Sequence, residues 1–236
     1  MSPRRGPDLP YSVVAGVTPS ASKWLVASAK VQGSTFAPEQ PKVYDTFMEV
    51  LDERPTFSSI VVNAPIGFRD SVDMGPRTCD VQARKLLGAR GRFVHNAPIL
   101  PAVLRGISTP EDHVDAITAH LLQTYSEVAK EMSPFRQRQV YEGHPELSFY
   151  LLNGDTPLKS SKKIYEGRDE RESILIKRVP NIATVLNAEL PGVRRQNVLD
   201  AAALLASARR VFTKSAKRIP SDAEWDSQGL RMELVY

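Results

Sequence analysis

The segment QNVLDAAALLASARRVF (196–212) constrains this chain more than any other stretch of it. Alanine and leucine are strong helix formers, and apolar residues point almost all round the axis in its first turns. Such a helix cannot lie on a surface; other elements must enclose it. It also carries one acid, Asp200. A carboxylate in apolar surroundings costs free energy unless it is paired, capped or bound to a metal. Asn197 offers a local answer, since it could cap the helix with Asp200 three residues on, as in a capping box. The other answer is that Asp200 serves a site.

The layers that would enclose this helix are legible upstream. YSVVAGV (11–17) and SSIVVNAPIGF (58–68) read as buried strands, and KWLVASAKV (23–31) as the antiparallel neighbour of the first. Residues 40–52 have helical spacing at Val43, Phe47, Val50 and Leu51. A strand, a hairpin partner, a helix and a second buried strand imply a mixed α/β sheet with a crossover connection. Thr109, Pro110, Glu111 and Asp112 open a helix expected to run to about Glu131. RQVYE (138–142) is a third strand, 159–178 a charged helix, and the terminal GLRMELVY an edge strand.

Composition narrows the function classes. The chain has 236 residues and a formal charge of +4, which permits a polyanionic partner without demanding one. The charge is concentrated: from Arg194 to Arg218 there are seven basic residues against Asp200 alone. A single cysteine, Cys79, rules out an intrachain disulfide or a cysteine-built zinc centre and reads as a packed core thiol. No apolar run approaches the roughly 20 residues of a membrane span, so no membrane partner is expected. MSPRRGPDLP (1–10) reads as a disordered tail ahead of one domain at 11–236, and a cytoplasmic location is expected.

YEGHPELSF (141–149) is the second place where acids meet apolar sequence. A helix starting near His144 would put Pro145 and Glu146 in its first turn, where both are favourable. It would leave Glu142 unexplained at the end of a buried strand. Acids at a strand end beside an acid on a buried helix are how two-metal phosphoryl-transfer sites are assembled, since hard divalent cations prefer carboxylate oxygen. Other candidates are weaker. His113 and His120 are two helical turns apart, too far to share a ligand, and Ser160 with Lys163 sits in a basic KSSKK loop.

In chain order, VAGVTPSASKWLVA, VVNAPIGFRDS, GPRTCDVQARKLLGAR, YEGHPELSFYLLNG, LKSSKKIYEGRDERESIL and NVLDAAALLASARR resemble the family called domain of unknown function 429. Its members are expected to be nucleases with a ribonuclease H-like fold. The resemblance implies a mixed central sheet flanked by helices, with helical insertions, whose first strand, a later parallel strand and last helix converge on an acidic site. It also marks departures. The family pattern has an aspartate where this chain has Thr18, another where it has Asn63, and an acid pair on the last helix where it has Asn197 and Asp200.

The resemblance therefore implies a metal-dependent nuclease or related phosphoryl-transfer enzyme. Glu146 and Asp200 would hold Mg²⁺ or Mn²⁺, and Glu142 would be a further ligand or a water-positioning base, with Asp70 and Asp73 nearby. Thr18, Asn63 and His144 would line the substrate path, and Arg77, Arg84, Lys162 and Lys163 would hold phosphate oxygens. The bland reading of these cations is a solvated surface or pairing with Asp80, Glu166 or Asp169. Neutral Thr18 and Asn63 weaken cation binding, because carboxylate number helps set affinity. The rivals are a catalytically degenerate member that binds nucleic acid or protein, and a small-molecule enzyme using the same cleft.

Overall fold

The computed structural model describes residues 10–236, so the expected N-terminal tail lies almost wholly outside the described residues. Strand β1 (Ser12–Ser20) turns through Ala21 and Ser22 into antiparallel β2 (Lys23–Gln32), with Val17 opposite Val26. Short β3 (Thr35–Pro38) and β4 (Lys42–Tyr44) both pair with β2. Helix α1 (Phe47–Asp52) leads to β5 (Phe57–Val62), which lies parallel to β1. Helices α2 (Thr78–Leu87), α3 (Leu100–Arg105) and α4 (Ala116–Glu131) precede β6 (Val140–Glu142), parallel to β5. The sheet order β3-β2-β1-β5-β6, antiparallel on one side of β1 and parallel on the other, is the mixed central sheet that the sequence resemblance implies.

Helices α5 (Pro145–Leu152), α6 (Tyr165–Arg178), α7 (Ala183–Leu186) and α8 (Arg195–Phe212) follow. A separate hairpin, β7 (Arg218–Trp225) with β8 (Arg231–Val235), closes the chain. Alternation along β1 divides the core. Val14 packs with α8, while Val13, Ala15 and Val17 pack with Phe47 and Val50 of α1 and Val128 of α4. Gly16 is what lets α8 sit so close: a Cβ there would lie 2.1 Å from the backbone nitrogen of Leu205. Eleven residues of α8 are buried, which accords with its apolar circumference. No helix among the described residues is long and apolar enough to cross a membrane.

Several expected elements differ. Residues 40–52 are not one helix, because Val43 pairs with Leu25 at the sheet edge and Thr46 then caps α1 by accepting from the Glu49 N–H. The helix expected from Thr109 stops after one turn. The Asp112 carboxylate folds back onto the Thr109 N–H at 2.7 Å, His113 takes φ 51°, and Asp115 starts α4 afresh by accepting from Ile117 and Thr118. The C-terminal strand joins β7 and not the central sheet. Arg194, not Asn197, occupies the cap of α8; Asn197 lies inside the helix and its amide donates to the Pro19 carbonyl at 2.9 Å.

Candidate functional site

The three parallel strands end side by side. The Asn63 N–H donates to Val17 O at 2.8 Å and the Gly143 N–H to Val62 O at 3.0 Å, which brings Thr18, Asn63 and Glu142 to the same end of the sheet. Open α/β sheets bind ligands at such carboxyl ends. Here a cavity of about 460 Å³ opens, lined by Thr18, Asn63, Arg77, Glu142, His144, Glu146, Lys162, Lys163 and Asp200. Nine of the ten expected site residues thus meet in one place. Arg84 does not line it: its guanidinium donates to the Val94 carbonyl at 3.1 Å and faces a neighbouring open depression with Arg92 and Asp115. Asp70 is also elsewhere, accepting from the Ser227 hydroxyl, and Asp73 is not among the lining residues.

Each carboxylate of the cavity is already engaged. Glu142 takes a two-pronged contact from Arg77 at 2.7 and 2.8 Å and a third hydrogen bond from the Ile66 N–H at 2.7 Å. The same guanidinium grips Asp80 at 2.8 and 3.0 Å and donates to the carbonyls of Ile66 and Gly67. The Pro65-Ile66-Gly67 turn, Arg77, Asp80 and Glu142 are therefore one buried unit. One cation serves two carboxylates there, and burial, opposed by Arg77, pushes the Glu142 carboxyl up to about 7.

Glu146 stands at the start of α5. Arg90 holds it at 2.9 and 3.2 Å and Arg171 at 2.7 Å, with both guanidiniums almost inaccessible. Burial pushes its pKa up, but the two arginines outweigh that and keep the carboxyl below its usual range. Asp200 projects from α8 onto the Lys162 ammonium, and burial raises its pKa against that attraction. Its Oδ1 is buried without a hydrogen-bond partner. Thr18 and Asn63 hydrogen-bond each other, the amide donating to the hydroxyl at 3.1 Å.

His144 is a helix cap. Its Nδ1 accepts from the Glu146 N–H at 3.2 Å, so its Nε2–H donates to Phe93 O, also at 3.2 Å. Burial lowers its pKa to about 4, which keeps the ring neutral in this role. The expected helix start in YEGHPELSF is thus correct, and Glu142, which capping left unexplained, is accounted for by Arg77.

These side chains do not fit the Mg²⁺ or Mn²⁺ expected at Glu146 and Asp200. A divalent cation needs several oxygens free to turn inward, whereas Glu142 and Glu146 are saturated by guanidiniums and Thr18 and Asn63 carry no charge. Among the described residues no three His, Cys, Asp or Glu side chains gather into a possible metal cluster. Cys79, in the first turn of α2, is buried in the core, as expected of a packed thiol.

The residues that sequence reasoning missed are Arg90, Arg92, Arg171 and the aromatic wall of Phe93 and Tyr125. Arg171 left a signal: it falls on the buried stripe Gly167, Arg171, Leu175 of an otherwise polar helix, where a charge implies an internal partner. Arg90, in a glycine-flanked turn, left none.

No curated protein sequence matches the chain. A structure of Thermus thermophilus RuvC is similar at 15% identity and a TM-score of 0.40, over 87% of this chain and 98% of that one. The model of the family described as "Protein of unknown function (DUF429)" matches residues 16–225, and the chain belongs to that family.

Proposed function

We propose that this chain is a catalytically degenerate ribonuclease H-like protein that binds nucleic acid in the cleft without a carboxylate-held metal pair. The observation that carries this reading is the pairing of every cleft carboxylate with a protein cation. Arg77, Arg90, Arg171 and Lys162 offset Asp80, Glu142, Glu146 and Asp200. Arg92 and Lys163 are exposed cations on the same cavity and belong to no ion pair among the described residues. The lining itself balances four basic against four acidic residues, and the buried Arg90 and Arg171 behind Glu146 bring the whole cluster to +2. A phosphate backbone is attracted to such a surplus in a salt-dependent way. Phe93 and Tyr125 add aromatic surface to the wall, and Arg92 lies over the Phe93 ring, 5.0 Å from its centre.

One observation favours the metal-dependent nuclease instead. The unpartnered Asp200 Oδ1 would gain a partner if a cation displaced Lys162. Anisotropy and cleavage assays with labelled single- and double-stranded DNA and RNA, in EDTA and in Mg²⁺ or Mn²⁺, separate the two. The proposed reading expects binding in EDTA that weakens with salt, falls in the Arg92→Gln/Lys163→Gln double variant, and yields no product. Metal-dependent cleavage that both Glu146→Gln and Asp200→Asn abolish would overturn it and restore the nuclease.

A further inference from the structure

The basic run in the last third of the chain is not absorbed by the cleft. Its central arginines lie near the C-terminal end of α8, ten residues beyond Asp200. There Arg209 and Arg210 meet Arg178 from the end of α6 around a pocket of about 250 Å³, whose lining also includes Val179, Thr213 and Ser215 and no acidic residue. We propose that this pocket is a phosphate-binding site, separate from the cleft.

Basic residues in the last turn of a helix complement its dipole, and that accounts for Arg209 and Arg210 as residue types. Arg178, in the last turn of α6, has the same explanation, but the dipole does not account for the three arginines meeting around one pocket without an acid. Nor does it account for Arg210 Nη1, which is buried with no hydrogen-bond acceptor. A buried charged donor without an acceptor is costly, and an ion is one of the few things that resolves it. The nearest acid felt by Arg210 is Asp155, but Lys217 holds both of its oxygens, at 2.8 and 2.9 Å. Arg209 is fixed by stacking over Phe36, 4.7 Å from the ring centre, so part of the pocket is set before any ligand arrives.

Burial, and then the proximity of Arg209, lower the pKa of Arg210. Both effects are relieved by an anion between the guanidiniums. A tetrahedral phosphate suits the group, because guanidinium forks donate to its oxygens in pairs. The phosphate could be free or belong to a nucleic-acid strand; the recognising chemistry is the same.

Two-dimensional ¹H–¹⁵N spectra test this with inorganic phosphate replacing chloride at constant ionic strength. The amides of Val179, Thr213 and Ser215 are expected to shift saturably, independently of cleft amides such as Gly143. Arg178→Gln should weaken the phosphate response about tenfold, consistent with loss of one charge-assisted contact, and Arg210→Gln should remove it. Arg178 is exposed, so its variant remains decisive if Arg210→Gln does not fold. A second titration uses a short single-stranded oligonucleotide. Shifts at the same amides that inorganic phosphate reverses assign the site to a strand's backbone; shifts with inorganic phosphate alone assign it to a free phosphate. No saturable shift with either probe, or unchanged responses in Arg178→Gln, would overturn the proposal.

Discussion

Arg171 shows how much a single side chain decides in this fold. It is wholly inaccessible, and its guanidinium donates to Glu146 as well as to the carbonyls of Ser160 and Gly167. Removing it leaves Glu146 with Arg90 as its one cation and takes the donor from two carbonyls, so Arg171→Met should cost about 2–3 kcal/mol in urea unfolding, at or below the low end for breaking a buried pair. The exposed pair Lys23–Asp45 is the contrast; Lys23→Met should leave the urea midpoint essentially unchanged. His144 makes a prediction in pH. Its pKa falls from 6.5 to about 4 on folding, so between those values the unfolded chain binds more protons than the folded one. Stability supported by the neutral ring is complete above about 6.5 and is lost as pH falls towards 4. His144→Asn keeps a cap acceptor but cannot titrate. Relative to it, the native chain should lose about 2–3 kcal/mol across that window, read from urea midpoints at each pH.

At the scale of elements, the contact of α8 with β1 organises the molecule. Gly16 faces the backbone of Ala201, Leu204 and Leu205, with no flexible side-chain end to give way. Gly16→Ala must push the helix off the sheet and should cost about 3 kcal/mol or more, at the upper end of overpacking penalties. Gly33 is the control: it has open space around it but φ +56°, so Gly33→Ala should cost only about 1–2 kcal/mol of left-handed strain. Thermal unfolding of the two variants checks the order. The same scale shows which elements the sequence could announce. α8 was legible from its alanines and leucines, and β1, β2 and β5 from their valine-rich runs. The break at His113 was not, because Thr109 and Asp112 signal a helix start equally well whether one turn follows or five. The pairing of β7 with β8 was not legible either, since it depends on partners with no local pattern to declare them.

At the scale of the whole molecule, the cleft exists only where the three strand ends, α5 and α8 converge. Thr18 and Asn63, distant in sequence, are there in hydrogen-bond contact. Two carboxylates so placed would repel, and a divalent cation would relieve them. Thr18→Asp/Asn63→Asp should therefore be less stable than the native chain in EDTA and recover with Mg²⁺. The native chain should show no Mg²⁺-dependent rise in Tm, because a ligand stabilises only the state it binds. Equal Mg²⁺ responses in both proteins would mean that the neutral pair is not what keeps the cation out. By itself, the sequence determined the buried helix, the valine-rich strands, the family and nine of the residues that line the cleft, because periodicity, turn chemistry and motif order are local properties. What each cleft acid is bound to was decided only by the tertiary structure. Arg77 reaches Glu142 across 65 positions, Arg90 reaches Glu146 across 56 and Lys162 reaches Asp200 across 38. A carboxylate's chemistry follows from the charge that folding sets against it, and no local pattern encodes that neighbour.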